Sequence, residues 1–283
     1  MRLAFVLMAS WLRIQAQDVI HVDAEVVSAD GHVLTGLQQA DFRVLDGGKP
    51  QAVTGFGDAQ EPLDLVLLFQ MNPAMRPAVQ MAVLNAHQAL QELHRGDRVC
   101  VMGFNSASWV VSHFTDDLEA VENSVAHKLL HQGFARSSHI QTGIDDAALR
   151  LQFMKRNGRR RAVLLITDNV GTRSRRDEDI LRDFRHADAV LDELVIPSPG
   201  YQPWLRRAGI DAIVGETGGS ALRSDDPGAA FLQAMHRVRC RYSLYYRMPA
   251  GKSHSVKVEL TEEAARRNPR AVIRARTSYG AAN

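Results

Sequence analysis

"LVLLFQMNPAM", Leu65 to Met75, is an apolar run that stops at a glutamine and turns through a methionine, an asparagine and a proline. A run without polar alternation suits a strand covered on both faces, as in a parallel sheet flanked by helices. Downstream, "AVQMAVLNAHQALQEL" repeats apolar residues at Val79, Ala82, Val83, Ala86 and Leu90, a helical spacing. In such sheets ligands are met outside the carboxyl ends of the strands. The turn Gln70 to Ala74 therefore occupies a working position, yet it offers two amides and a thioether and no carboxylate or hydroxyl.

Outward from this strand the rhythm of strand and helix continues. "DRVCVMGF", "RAVLLITD" and "VLDELVIP" read as strands, and "ASWVVSHF" as an edge strand. "DDLEAVENSVAHKLL", "TGIDDAALRLQFM" and "DEDILRDFRHA" read as helices. The alternation predicts a doubly wound, mostly parallel α/β sheet over 62–238. On either side the text is β-like. Val22, Ala24 and Val26 alternate with polar residues, and Asp30-Gly31 and Asp46-Gly47-Gly48 supply tight turns. From Arg239 onward "CRYSLYYRM", "SVKVEL" and "AVIRARTSYG" are strand-like, with Tyr242, Tyr245 and Tyr246 expected as core and cross-strand aromatics. Neither β segment has enough strands for independent stability, so 18–58 and 239–283 are expected to pair into a small β-sandwich.

Charge and cysteine content narrow the classes. Lys and Arg total 34 against 32 Asp and Glu, a net +2, which gives no electrostatic reason for a nucleic-acid or anionic-membrane partner. Arg159 to Arg161 and Arg173 to Arg176 are expected in solvated loops. "MRLAFVLMASWLRIQAQD" has the basic start and short apolar run of a secretory signal over 1–17, too short to span a bilayer comfortably. The mature chain is thus expected to lack a membrane span and to be exported, whether periplasmic, envelope-associated or secreted. Cys100 and Cys240 are expected to be unpaired, Cys100 as a small core hydrophobe.

Enzymatic motifs are missing. No G-x-S-x-G occurs, "GFNSAS" at Gly103 to Ser108 reads as a hairpin, and the glycines of "GETGGSALR" lack phosphate-loop spacing. His127 and His131 stand one helical turn apart, and His139 follows, so zinc spacing exists; the Glu of H-E-x-x-H does not, and solvent-facing histidines are the expectation. No residue is assigned a catalytic role, and a zinc-dependent hydrolase is the minor alternative.

The predicted strand ends and the turns beside them carry Gln70, Asn72 and Ala74, then Thr142 with Asp146 four residues on, then Asp168 in "LLITDNVG". This pattern resembles the von Willebrand factor A family, in which D-x-S-x-S, a Thr and an Asp form the metal-ion-dependent adhesion site. The outer segments "DGHVLTGLQQADFRVLDGGKPQAVTGF", "YSLYYRM", "HSVKVEL" and "IRARTSYGAA" resemble those of a related group best known in acidobacterial genomes. The resemblance implies an interaction module whose cation accepts a carboxylate from a protein partner. It also places Gln70, Asn72 and Ala74 where the Asp and two Ser belong, Thr142 at the metal-site Thr and Asp168 at the later Asp.

A hard cation needs near-octahedral oxygen ligation with anionic help, because dehydrating it is costly. The expectation is therefore a degenerate site with no metal and no cofactor. Mg or Ca binding through the residual candidates Thr142 and Asp168 is the alternative. The expected function is an exported, non-enzymatic protein–protein interaction module with an unidentified protein ligand. Its expected binding face is Gln70, Met71, Asn72, Pro73, Asn105, Ser106, Thr142, Asp168 and Asn169, with Met71 and Pro73 exposed for an apolar contact.

Overall fold

The computed structural model describes residues 19–155, 157–197, 209–249 and 253–280; the signal expected over 1–17 lies outside the described residues. The chain begins with β1 (Val19–Val27), β2 (Phe42–Asp46), β3 (Lys49–Gln51) and β4 (Val53–Gly57). The α/β part follows: β5 (Leu63–Gln70), α1 (Arg76–Leu84), α2 (Ala86–Leu90), β6 (Arg98–Phe104), β7 (Ser108–Thr115), α3 (Leu118–Asn123), α4 (Ile140–Gln152) and β8 (Arg160–Thr167). It continues through α5 (Asp177–Ala187), β9 (Val190–Val195), α6 (Asp211–Thr217), β10 (Ala221–Arg223) and α7 (Pro227–Arg239). The chain then returns to β11 (Tyr242–Arg247), β12 (Ser253–Leu260), α8 (Glu262–Arg267), β13 (Val272–Ala275) and β14 (Ser278–Gly280).

The central sheet runs β10-β9-β8-β5-β6-β7, parallel except for the edge strand β7. Every residue of β5 is buried, as its unbroken apolar run requires of a middle strand. Its alternate side chains feed two cores. Leu65, Leu67 and Phe69 face one that includes Val79, Phe231 and Met235. Val66 and Leu68 face the other, with Ile144, Leu151 and Phe184. Among the described residues no helix is long and apolar enough to cross a membrane.

The terminal segments do pair. β1 lies between β11 and β13 in one antiparallel sheet, and β12 pairs with β2 in a second. The two sheets enclose a separate core in which Val22, Val44, Tyr242, Leu244, Tyr246 and Val258 meet. Tyr242 and Tyr246 are buried there, while Tyr245 stacks on His21 at 5.0 Å.

Three features depart from the sequence reading. The first is the run α6, β10 and α7, omitted from it although Asp226 caps α7 by accepting from Gly228 N and Ala229 N, with Pro227 in its first turn. The second is the helix predicted from "DDLEAVENSVAHKLL". It stays α only to Asn123, widens to a π turn over Ser124–Lys128, then tightens to a 3-10 turn over Leu129–Gln132.

The third is the Arg159 to Arg161 cluster, which is not a solvated loop. Arg159 and Arg98 clamp the wholly buried Asp64, each at 2.7 Å. Arg160 is buried against Asp23 of β1 at 3.1 Å and donates to the final carbonyls of α7, Val238 O and Arg239 O, each at 2.9 Å. Arg161 donates to Ala187 O and Met154 O, each at 2.8 Å. The cluster sits where the amino end of β8 meets the sandwich. Arg241 continues it, reaching Asp192 at 3.2 Å and Asp23 at 3.9 Å. Arg173 to Arg176 are exposed, as expected, though Arg175 reaches inward to Asp145 at 2.9 Å. Cys100 and Cys240 are both free thiols.

Candidate functional site

The amino ends of the parallel strands meet the sandwich, so the carboxyl ends are left to the loops. Gln70 ends β5, and its side-chain amide is fully engaged. Its Nε2 donates to Ser138 Oγ at 2.7 Å and to Val170 O at 2.9 Å. Its Oε1 accepts from the Thr167 hydroxyl and from Asp168 N, the latter at 3.1 Å. Two donors and two acceptors are the whole capacity of a carboxamide.

Asn72 behaves similarly. Its Oδ1 accepts from Met75 N at 2.8 Å, capping the short 3-10 turn that leads into α1. Its Nδ2 donates to Asp168 Oδ2 at 3.2 Å. The other carboxylate oxygen of Asp168 accepts from Val170 N at 2.9 Å. Thr142 shares a hydrogen bond with Ser174 across 3.0 Å. Gln141 Oε1 accepts from Ser174 N at 2.7 Å and Arg175 N at 3.0 Å, so α4 holds the loop after β8 at two adjoining residues.

Backbone bonds knit the remaining loops. Ala135 N donates to Met71 O at 3.1 Å, His139 N to Asn105 O at 2.8 Å, and Thr172 N to Ser138 O at 2.9 Å. Arg76 stands 4.1 Å over the Phe134 ring. Gly143 allows α4 to approach β6 closely, since a Cβ there would come within 2.8 Å of Phe104.

This lacing corrects the expected face. Met71 is not exposed: it is 0% accessible and belongs to the core beneath α1. Gln70, Asn72, Asp168 and Asn169 are buried as well. Asn169 adopts a left-handed φ of 55° and turns its amide inward, where neither polar atom finds a hydrogen-bond partner among the described residues. The surface consists of Pro73, Ala74 and Ser106, which are exposed, with Asn105 and Thr142 half-buried. The physical reason is that loops 133–139 and 168–174 fold over the strand ends.

Sequence reasoning missed Ser138 and Thr167, which complete the Gln70 network. The serine lies in "RSSHIQTG" ahead of α4, where only its neighbour across the sheet reveals a role. The three histidines do not assemble. The His131 ring folds back onto the His127 carbonyl, and His139 approaches Ser137 at 3.4 Å. No cluster of three or more metal-ligating His, Cys, Asp or Glu occurs among the described residues.

No family model and no curated protein matches this sequence. Solved structures do. An aerotolerance-related membrane protein from Bacteroides fragilis, solved with multiple mutations to serines, is 15% identical with a TM-score of 0.51, over 62% of this chain and 98% of its own. BatB from Bacteroides thetaiotaomicron is 14% identical with a TM-score of 0.52, over 62% of this chain and 97% of its own. Proximal thread matrix protein 1 from the mussel byssus, solved with a zinc-occupied MIDAS motif, is 14% identical with a TM-score of 0.54, over 70% of this chain and 50% of its own. At these identities the likeness concerns the fold, and it joins the strand order and the layout of the carboxyl-end loops in one conclusion: the chain has a von Willebrand factor A-like fold.

Proposed function

We propose that this chain is an exported protein-interaction module whose carboxyl-end face meets a protein partner directly, without a bridging cation. The observation that carries the reading is the Gln70 amide, all of whose hydrogen-bonding capacity is spent inside the protein. Asn72 Oδ1 and both oxygens of Asp168 accept hydrogen bonds from the protein as well. The donor set therefore does not fit a hard cation, which needs several oxygens freed together and anionic help. Asn72 Nδ2 donates to the Asp168 oxygen that a metal would otherwise need.

Export rests on the basic and apolar pattern of 1–17, and the similar aerotolerance-related membrane protein agrees with an envelope setting. The contact surface is what the lacing leaves outside: Pro73, Ala74, Ser106 and Thr142, bordered by Arg76. Because the loops are tied to one another, this surface is preorganised, which lowers the ordering cost of binding.

Calorimetry with Mg²⁺, Mn²⁺ and Ca²⁺ is expected to give no saturable binding tighter than about millimolar. Tighter binding that disappears in Asp168→Ala would overturn the cation-free reading. In the native envelope, cross-linking of wild type against Pro73→Glu with Ser106→Glu should show a partner lost from the double variant. Equal recovery would overturn the choice of face.

A further inference from the structure

On a different side of the α/β part, α4 covers β5 and β6 and leaves the edge strand β7 incompletely roofed. The result is a groove of about 710 Å³ between α4 and β7. Cys100 and Met102 line it from β6, Val110 and Phe114 from β7, and Leu149 and Phe153 from α4 and its end. Phe153 is 85% exposed, the largest exposure among the large hydrophobic residues described. A concave site of this volume that joins apolar walls to a small set of polar groups, here Ser108, His113, Asp146 and Arg150, has the usual form of a small-molecule site.

The polar groups are distributed unevenly. Asp146, toward the carboxyl-end face, accepts from the Ser108 hydroxyl at 2.5 Å through one oxygen and gives that end of the groove a negative charge. Arg150 and His113 are exposed along the groove, and neither has an ion-pair partner among the described residues. Arg150 also bears on the floor. Burial pushes the Cys100 thiol up to about 11, and the Arg150 charge opposes that rise, so the guanidinium is electrostatically coupled to the groove floor. The thiol stays protonated and contributes apolar surface rather than a nucleophile.

We propose that this groove binds a small amphiphilic carboxylate, its tail lying on Met102, Val110, Phe114, Leu149 and Phe153 and its headgroup meeting Arg150. Arg150 lies one helical turn beyond Asp146 on α4, so the two ends of the groove differ in charge, and the guanidinium beside the apolar walls is the end that favours an anion carried on a hydrocarbon. An added peptide strand fits less well. β7 shifts register against β6 twice within its eight residues, and strand addition requires a continuous ladder.

Sodium decanoate, kept below its micellar concentration and titrated calorimetrically, is the probe; 1-decanol and decyltrimethylammonium are the matched neutral and cationic controls. Decanoate is expected to bind one-to-one and more tightly than either control. Arg150→Gln should weaken decanoate by about tenfold, as loss of a charge-assisted hydrogen bond implies, and leave decanol within about twofold. Phe153→Asp, at an exposed position, should weaken decanoate and decanol together. Both variants should keep the wild-type thermal midpoint to within a few degrees. Absence of decanoate binding, equal affinity for all three probes, or indifference to both substitutions would overturn the proposal.

Discussion

The Asn72 side-chain amide donates to the Asp168 carboxylate across 3.2 Å, joining the carboxyl ends of β5 and β8. The same residue caps the turn into α1 through Met75 N at 2.8 Å. Asn72→Ala should therefore cost about 1–3 kcal/mol, combining a lost cap with a buried carboxylate left short of a donor. Gln70→Ala should cost more, about 2–4 kcal/mol, because Thr167, Ser138, Asp168 N and Val170 O all lose a partner inside the protein. Urea unfolding with an unchanged m-value and a lowered midpoint is the measurement.

Restoring oxygen ligands should restore a cation response. The triple change Gln70→Asp, Asn72→Ser and Ala74→Ser removes the amides that consume the strand-end groups and adds a charge and two hydroxyls near Thr142 and Asp168. This variant is expected to be less stable than wild type in EDTA and to gain several degrees in thermal midpoint with about 10 mM Mg²⁺, by mass action. Wild type should show no such gain. An equal Mg²⁺ response in the two proteins would contradict the account of Gln70.

Two buried carboxylates should give opposite pH signatures. Burial raises Asp145 to about 6, the neighbouring Asp183 and Asp146 add to the rise, and Arg175 opposes it. Native Asp145 thus binds its proton more tightly than the unfolded chain does, so stability falls as pH rises through about 6. Asp145→Asn should raise the thermal midpoint by a few degrees at about pH 8, with the gain shrinking toward about pH 5.

For Asp23 burial works against ionisation, yet the charges of Arg160, Arg241 and His21 outweigh it and hold the carboxyl below its usual range. Its contribution is present above the ordinary carboxylate range and is lost as pH falls through the lowered value. Asp23→Ala should cost about 3–5 kcal/mol at neutral pH, since Arg160 and Arg241 are left buried and short of a charge. Thermal scans across pH check both carboxylates.

Gly143→Ala places a methyl within 2.8 Å of Phe104 and must push α4 outward or distort the ring. A cost of about 1–3 kcal/mol is expected, together with an altered Thr142–Ser174 contact. Chemical-shift changes at Thr142 and Ser174 that exceed those at Leu151 would confirm that the disturbance enters at the carboxyl-end face.

The order of strands and helices from β5 to β9 was legible in the sequence because periodicity is local, whereas α6, β10 and α7 were not read. The unbroken run in β5 required cover on both faces, and the alternation in β1 marked the face of Val22, Ala24 and Val26 as core; the polar face it implied is not wet, since Asp23 and Glu25 are buried against Arg160 and Arg237. Turn chemistry was readable for the same reason. Met71, by contrast, reads as an exposed turn residue in sequence and lies in the core, because loop 133–139 closes over it from more than sixty positions away. The arginines of Arg159 to Arg161 read as solvated, yet Arg160 and Arg161 are buried and Arg159 half-buried, because their carboxylate and carbonyl partners come from β1, β5, the segment after α4 and the ends of α5 and α7. A side chain's period along one strand indicates which face it takes. Only the tertiary structure decides what lies on that face, and at Gln70 this is the difference between an available ligand and an amide whose every hydrogen bond is already made.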